Sequence, residues 1–125
     1  ALLNYAVDQF AANAKGAWLY IDAGHSNWKT PDETATRLIN AGVARARGFA
    51  LNVSNYRASS ELTPHGQAIN TALVSKGSSA RPFVLDTSRN GNGPLGNIVA
   101  DATPQGAVRG FVDHPHADLP LKDGK

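Results

Sequence analysis

The sequence contains no cysteine and no methionine, and each absence excludes something. Without cysteine, the chain forms neither a disulfide framework nor a thiolate metal site. Position 1 is alanine, so we expect the chain to have been excised or processed from a longer one.

Long apolar runs and concentrated charge are also missing. No stretch approaches the roughly 18 apolar residues that a membrane span requires, and the N-terminus lacks the basic-then-apolar pattern of a signal peptide. The formal net charge is only +2, and basic residues do not alternate with aromatic ones, although the calculated pI is 9.2. We therefore expect neither nucleic acid nor a membrane as a partner, and we predict no cofactor.

Alternating helix and strand patterns run through the first two thirds of the chain. Apolar periodicity, proline starts and glycine stops predict helices over 2–14, 30–42 and 63–77. Short apolar runs predict strands over 17–21, 48–53 and 81–85. Each helix should bury one stripe, and the strands should be parallel and covered on both faces.

This alternation predicts an α/β fold built as a partial, distorted TIM-like β/α barrel. A complete eight-stranded barrel needs about 250 residues, so the 125 residues here suffice for about half of one. A half-barrel exposes strand edges and apolar faces, from which we expect self-association. From residue 98 to 125 no period is sustained, and we predict an irregular or disordered tail.

Polar residues follow each predicted strand. A carboxylate, an imidazole and an indole occur together in residues 22–28, and polar clusters follow the strands at 52–56 and 86–94. Carboxylates and imidazoles hydrogen-bond hydroxyl groups, while an exposed indole offers a flat apolar face to a pyranose ring. Because active sites of such sheets form at the carboxyl ends of the strands, these clusters indicate a sugar-binding groove.

These three clusters closely resemble glycoside hydrolase family 6, the inverting cellulases that include endoglucanases and cellobiohydrolases, especially the actinobacterial members. Residues 22–28 read Asp-Ala-Gly-His-x-x-Trp, residues 48–56 read Gly-Phe-Ala-Leu-Asn-Val-Ser-Asn-Tyr, and residues 86–94 read Asp-Thr-Ser-Arg-Asn-Gly-Asn-Gly-Pro. The likeness covers about residues 1–97, which we interpret as part of the catalytic domain. The segment 98–125 departs from the family pattern, as a diverged, truncated or frameshifted end would.

The resemblance implies that β-1,4-glucan or a cello-oligosaccharide is the ligand. Each matched residue also has a purely structural interpretation: backbone capping for the aspartates, turn chemistry for the histidine and asparagines, partial burial for the tryptophan, and an internal ion pair for the arginine. The residues that the resemblance assigns to substrate binding are Asp22, His25, Trp28, Asn52, Asn55, Asp86 and Arg89.

The catalytic residues stay unidentified at this level. Inverting glycosidases need two carboxyl groups, and the family's proton donor lies upstream of the segment that begins at Ala1. The family's proposed base lies in a Glu-x-Asp-Gly motif, of which residues 123–124 match the last two letters, so Asp123 is a candidate base. We expect the chain alone to be inactive and, from the family's polymeric substrate, the parent protein to be secreted.

Other functions remain open from the residues. The chain could be a non-catalytic carbohydrate-binding remnant, or a small α/β domain that binds phosphate through the glycine-rich segment 86–94. That segment also resembles the first half of a calcium loop, but Asn97 stands where the loop requires a glutamate. The cluster at 113–118 offers potential metal ligands without a defined geometry, so we predict no metal site.

Overall fold

Three parallel strands form the sheet of this chain, which a computed structural model describes over residues 2–90. The strands lie side by side in sequence order, and a helix precedes each one. The elements are α1 (Leu2–Asn13), β1 (Tyr20–Asp22), α2 (Pro31–Ala41), a 3₁₀ turn (Val43–Arg45), β2 (Gly48–Leu51), α3 (Ser59–Ser75) and β3 (Phe83–Leu85). The predicted alternation and the parallel pairing are confirmed, with strands shorter than expected.

The core lies between the helices and one face of the sheet. Register aligns Ile21, Phe49 and Phe83 across the three strands, and the Phe49 and Phe83 rings stack with centroids 5.3 Å apart. Leu38 of α2 and Ile69 of α3 are buried in the same cluster. Helices on one face of strands that follow in sequence order are what consecutive units of a β/α barrel present. The barrel itself stays a prediction, because residues 2–90 contribute only three strands.

Strand β2 is the most tightly enclosed element. All four of its residues are buried, since it has a strand on each side. Gly48 is the first residue of β2 and lies directly against Pro82, the residue that precedes β3. A Cβ placed there would lie 1.8 Å from the carbonyl oxygen of Pro82, a backbone atom that cannot move without shifting β3. Glycine is therefore required where the two strands converge.

Helix α2 has the ends that its sequence predicts. The Thr30 hydroxyl accepts the Glu33 backbone N–H at 3.2 Å, and Pro31 occupies the first helical position. Gly42 ends the helix in the left-handed conformation at φ 89°. The side chain of Glu33, however, pairs with Arg37 rather than returning to the cap.

Helix α3 begins earlier than predicted. The proline start assigned to 63–64 is wrong, because the helix starts at Ser59 and contains Pro64 in its second turn. Pro64 is the sixth residue of the helix, past the first turn, so it removes the backbone donor that would bond to the Ser60 carbonyl, which is a cost to this end of the helix. Contacts from elsewhere hold this first turn: Asn90 donates to the Ser59 hydroxyl at 2.9 Å, and Arg57 pairs with Glu61.

Helix α1 forms as predicted, but its expected buried stripe does not. Val7 is buried, whereas Leu2, Leu3 and Phe10 are at least half exposed. Trp18, just before β1, is also exposed, so the prediction of a strand segment covered on both faces is wrong there. The outer face of α1 has no covering element within residues 2–90, and self-association through it stays a prediction.

The tail 98–125, Asp123 and the cluster 113–118 lie outside the described residues. Across the part of the chain that is described, no helix combines the length and apolar character needed to cross a membrane.

We predict that Gly48→Ala strongly destabilises the fold. The added methyl group would overlap the Pro82 carbonyl, so the free energy of unfolding should fall by about 3 kcal/mol, the upper end of overpacking costs. Gly16→Ala is the matched control, since a Cβ there meets nothing within 4 Å. Thermal unfolding followed by circular dichroism measures both, and equal midpoints for the two variants would contradict the close approach.

Candidate functional site

The loops that follow the three strands meet at one edge of the sheet. The Asn52 backbone N–H donates to the Gly24 carbonyl at 2.8 Å, which ties the loop after β2 to the loop after β1. The Asp86 N–H donates to the Leu51 carbonyl at 2.9 Å, which continues the connection to the end of β3. The expectation that the polar strand ends lie together is confirmed.

An open cleft of about 370 Å³ lies over the first two of these loops. Its lining residues are Asp22, Gly24, His25, Trp28 and Asn55. The fold therefore brings four of the seven predicted site residues to one surface. Asn52, Asp86 and Arg89 are not among the residues that line this cleft.

Trp28 forms the apolar wall of the cleft. Its side chain is 54% exposed, so it is partly buried, as the structural interpretation of this residue allows, and it still presents a surface to the cleft. The indole packs so closely on Gly24 that a Cβ there would lie 2.4 Å from Trp28 Cε3, and Gly24 has φ 76°. Lys29 Nζ lies 5.5 Å and the Arg37 guanidinium carbon 5.7 Å from the ring centroid, within cation–π range.

His25 presents one nitrogen to the loop and leaves the other as a donor. Its Nδ1 accepts the Asn27 backbone N–H at 3.1 Å, so the neutral ring carries its proton on Nε2. Burial and the positive charge of Arg57 lower the pKa of His25, against the smaller raising effects of Glu61 and Asp22. The neutral form, a donor at Nε2, therefore persists to lower pH than in an isolated histidine.

Asp22 ends β1 on the face of the sheet opposite the helices. Its Oδ1 accepts the Gly24 N–H at 2.9 Å, as the structural interpretation of this residue requires. The side chain is nevertheless exposed and lines the cleft, so its other carboxylate oxygen faces no hydrogen-bond donor among the described residues. One carboxylate thus shapes the turn and still has an oxygen for a hydroxyl group.

Asn52 is inside the protein and not in the cleft. It is 0% exposed, and its Nδ2 donates to the carbonyls of Asp86 at 2.9 Å and Arg57 at 3.2 Å, while its Oδ1 accepts the Arg57 N–H at 3.0 Å. With the amide so occupied, a direct contact with sugar has no support from the geometry. By contrast, Asn55 is only half-buried, and its amide donates to the Val53 carbonyl at 2.9 Å.

Asp86 and Arg89 lie at the end of β3 as a local pair. Asp86 Oδ1 accepts the Ser88 N–H at 2.9 Å and the Ser88 hydroxyl at 2.6 Å, and Oδ2 lies 3.8 Å from Arg89 Nη1. Burial raises the pKa of Asp86, but hydrogen bonds from Ser88 and from the Ser54 backbone, with the Arg89 charge, lower it overall. The arrangement fits the structural-pair interpretation of these two residues.

The sequence reasoning missed three residues beneath the cleft: Ser26, Arg57 and Glu61. The Ser26 hydroxyl donates to Glu61 Oε1 at 2.8 Å, and Arg57 Nη2 donates to Glu61 Oε2 at 2.9 Å. The i,i+4 spacing of Arg57 and Glu61 was a usable signal. It went unrecognised because the predicted helix started after both residues.

The described part of the chain contains no cluster of side chains suited to bind a metal ion. Over residues 2–90, no group of three or more His, Cys, Asp or Glu side chains could hold an ion. The calcium-like segment continues past residue 90, and the candidate base Asp123 and the cluster 113–118 also lie beyond it. The described site is a cleft with hydroxyl-binding groups beside an exposed indole, which suits a polyhydroxylated ligand with an apolar face.

Comparison with known proteins identifies the family. The family model "Glycosyl hydrolases family 6" matches residues 1–118. This chain belongs to glycoside hydrolase family 6. The match runs past Asn97, where the likeness in the sequence motifs ends.

Endoglucanases are among the curated relatives of this family 6 chain. Endoglucanase 1 of Streptomyces halstedii is 46% identical over 96 residues, which are 77% of this chain and 30% of the relative. Endoglucanase A of Thermobispora bispora is 46% identical over 103 residues, 82% of this chain and 22% of the relative. The chain therefore spans less than a third of the length of these relatives.

A solved structure of the family has the same fold over the matched region. It is the endoglucanase Cel6 from Mycobacterium tuberculosis in complex with methyl-cellobiosyl-4-deoxy-4-thio-β-D-cellobioside. The TM-score is 0.69 at 41% identity, over 84% of this chain and 32% of that one.

A second group of curated relatives matches a shorter stretch of the family 6 chain. The 33 kDa chaperonin of Desulfotalea psychrophila is 54% identical over 41 residues, 33% of this chain and 14% of the relative. The 33 kDa chaperonin of Lactiplantibacillus plantarum is 56% identical over 34 residues. These two matches cover 33% and 27% of this chain.

We predict that acidification weakens the fold through His25 and His65. Burial lowers the pKa of both histidines in the folded chain, so between that lowered pKa and about pH 6.5 the unfolded chain binds more protons. The free energy of unfolding should therefore fall as pH drops from 7 to 5, and the double variant His25→Gln/His65→Gln should reduce this slope.

Denaturant unfolding at a series of pH values gives the slope, and NMR of the imidazole protons gives the His25 pKa directly. A His25 ring that titrates above its ordinary value, or an unchanged slope in the double variant, would contradict the prediction.

Proposed function

We propose that this chain contributes part of the substrate-binding cleft of a cellulase that cleaves β-1,4-glucan with inversion. The observation that carries the proposal is the half-exposed Trp28 indole beside the Nε2–H of His25 and the free oxygen of Asp22. A pyranose ring has an apolar C–H face and equatorial hydroxyl groups. The indole would stack on the former, and the two polar groups would bind the latter.

The relatives support this ligand class. Curated relatives named as endoglucanases are 46% identical to the chain, and the Mycobacterium tuberculosis enzyme was solved with a thio-linked cello-oligosaccharide. That structural comparison covers 84% of this chain. We therefore take a cello-oligosaccharide as the ligand of the cleft, and we propose an extracellular location for the parent protein, since cellulose lies outside cells.

We propose that residues 2–90 bind sugar without hydrolysing it. Inverting hydrolysis needs a carboxylic acid and a carboxylate about 6.5–9.5 Å apart. Asp22 is the carboxylate that lines the described cleft, and Glu61 beneath it is held by Arg57. Activity would need additional carboxyl groups, of which Asp123 stays a candidate for the base. A non-catalytic sugar-binding role is the alternative that the same cleft supports.

A phosphate-binding role has less support in the described residues. At the start of the glycine-rich segment, the backbone N–H of Ser88 already donates to the Asp86 carboxylate. A carboxylate already placed there would repel phosphate.

We predict that Trp28→Ala weakens binding of cellotetraose by about tenfold. The stacking surface would be lost, and a factor of ten corresponds to about 1.4 kcal/mol, within the range for aromatic contacts. Trp18→Ala is the matched control, because Trp18 is also exposed, at 72%, but packs on Arg47 before the other end of β1. Isothermal calorimetry measures both affinities. Equal affinities in the two variants, or no binding by folded wild-type chain, would reject the proposed site.

A further inference from the structure

The loop that carries His25 and Trp28 is joined to helix α3 by a side-chain hydrogen bond. The Ser26 hydroxyl, between these two residues in the chain, donates to Glu61 Oε1 at 2.8 Å. Among residues 2–90, the other side-chain hydrogen bond that links residues 24–28 to an element joins the Gly24 N–H to Asp22 at the end of β1, so the bond from Ser26 is the one that reaches a helix. The backbone of the same loop contacts the next loop through the Gly24 carbonyl.

Glu61 is itself held in place from the other side. Both oxygens of its carboxylate accept hydrogen bonds from the Arg57 guanidinium, in the paired geometry that orients a carboxylate most strongly. The backbone of Arg57 is fixed in turn, because its N–H and its carbonyl both bond to the buried amide of Asn52. Ser26 is thus connected through Glu61 and Arg57 to the centre of the sheet.

This connection differs from the ordinary surface ion pairs of the chain. The side chains of Arg57 and Glu61 are 21% and 34% exposed, whereas those of Arg45 and Asp8 are 44% and 53% exposed. Hydrogen bonds from Arg57, and then from Ser26, lower the pKa of Glu61 despite its partial burial. Glu61 is therefore a charged acceptor for Ser26 throughout the neutral pH range.

We propose that Glu61, oriented by Arg57, is a positioning residue that holds the sugar-binding loop in place through Ser26. The loop bridge, meaning Ser26, Glu61 and Arg57, sets where His25 and Trp28 stand relative to each other and to Asn55. Glu61 itself does not line the cleft and so acts through the loop. The inference rests on the proposed function, because it concerns the same cleft.

His25 is the internal reporter of the loop bridge. The titratable and charged groups that face it are Asp22 on β1, Arg57 before α3, and Glu61 and His65 on α3. Arg57 lowers the pKa of His25, and Glu61 raises it. Glu61→Gln should therefore lower the His25 pKa, and Arg57→Met should raise it. General loosening of the fold would not move the two values in opposite directions.

The experiment uses the full 125-residue chain with Trp18→Phe, so that Trp28 is the one remaining tryptophan of the two in the sequence. Ser26→Ala and Glu61→Ala remove the bridge. Ser75→Ala, whose hydroxyl donates to the Ala72 carbonyl of its own helix, and Asp8→Asn are the matched controls. Acrylamide quenching of Trp28 without sugar reports loop order, and cellotetraose titration reports affinity.

Removal of the bridge should increase quenching of Trp28 and weaken cellotetraose binding about tenfold, because the lost hydrogen bond has a charged acceptor and such bonds are stronger than neutral ones. The control variants should match the parent chain. Unchanged quenching in both Ser26→Ala and Glu61→Ala would overturn the inference. If Glu61→Ala fails to fold, the opposite shifts of the His25 pKa in Glu61→Gln and Arg57→Met decide the question, and a common direction overturns it.

The two proposals fail in different ways. A folded parent chain that does not bind cellotetraose would reject the proposed function, while quenching and the His25 titration would still test the bridge without sugar. Normal sugar affinity in the bridge variants, with normal quenching, would reject the bridge and leave the proposed function in place.

Discussion

The geometry of the cleft depends on one buried amide, that of Asn52. A buried amide is unfavourable unless it is hydrogen-bonded, and a single unmet group costs about 1–3 kcal/mol. Asn52 meets this demand with bonds to Arg57 and Asp86, and it adopts the left-handed conformation at φ 71°. Its side chain therefore fixes the loop after β2 to the end of β3 at the centre of the sheet.

A series of hydrogen-bonded groups connects the buried amide of Asn52 to the exposed residues of the cleft. Arg57 is bound through its backbone and orients Glu61, which accepts the hydroxyl of Ser26. The residues that face the cleft, Trp28 and His25, stand beyond them. In the function that we propose, contact with the ligand and positioning of the contacting groups are thus divided between different residues. Family resemblance alone does not separate the two roles, because it marks both Asn52 and Trp28 as matched positions and does not mark Arg57 or Glu61.

Much of the fold was predictable, because local signals and tertiary packing agree there. Thr30 and Gly42 bound α2 as their residue types require, and the apolar runs became parallel strands. Prediction failed where contacts distant in sequence decide the outcome. The start of α3 at Ser59 is supported by Asn90, and the apolar face of α1 at Phe10 is exposed, although periodicity alone predicts burial.

In the candidate site, too, some residues were predicted correctly from the sequence and others were decided by distant contacts. Trp28, His25, Asp22 and Asn55 were predicted and line one cleft. Asn52 was predicted to touch sugar, yet its position at φ 71° with a fully occupied amide places it inside the fold. Its residue type allows either role, and only the partners within reach distinguish them.

The most direct test of the account is an NMR map of backbone amide shifts when cellotetraose is added to the isotope-labelled chain. We expect the shifts to concentrate in the loops after β1 and β2, at Gly24, His25, Trp28 and Asn55. Shifts concentrated instead around Lys15 and Arg47, which line a separate cavity beside α1, would contradict the account.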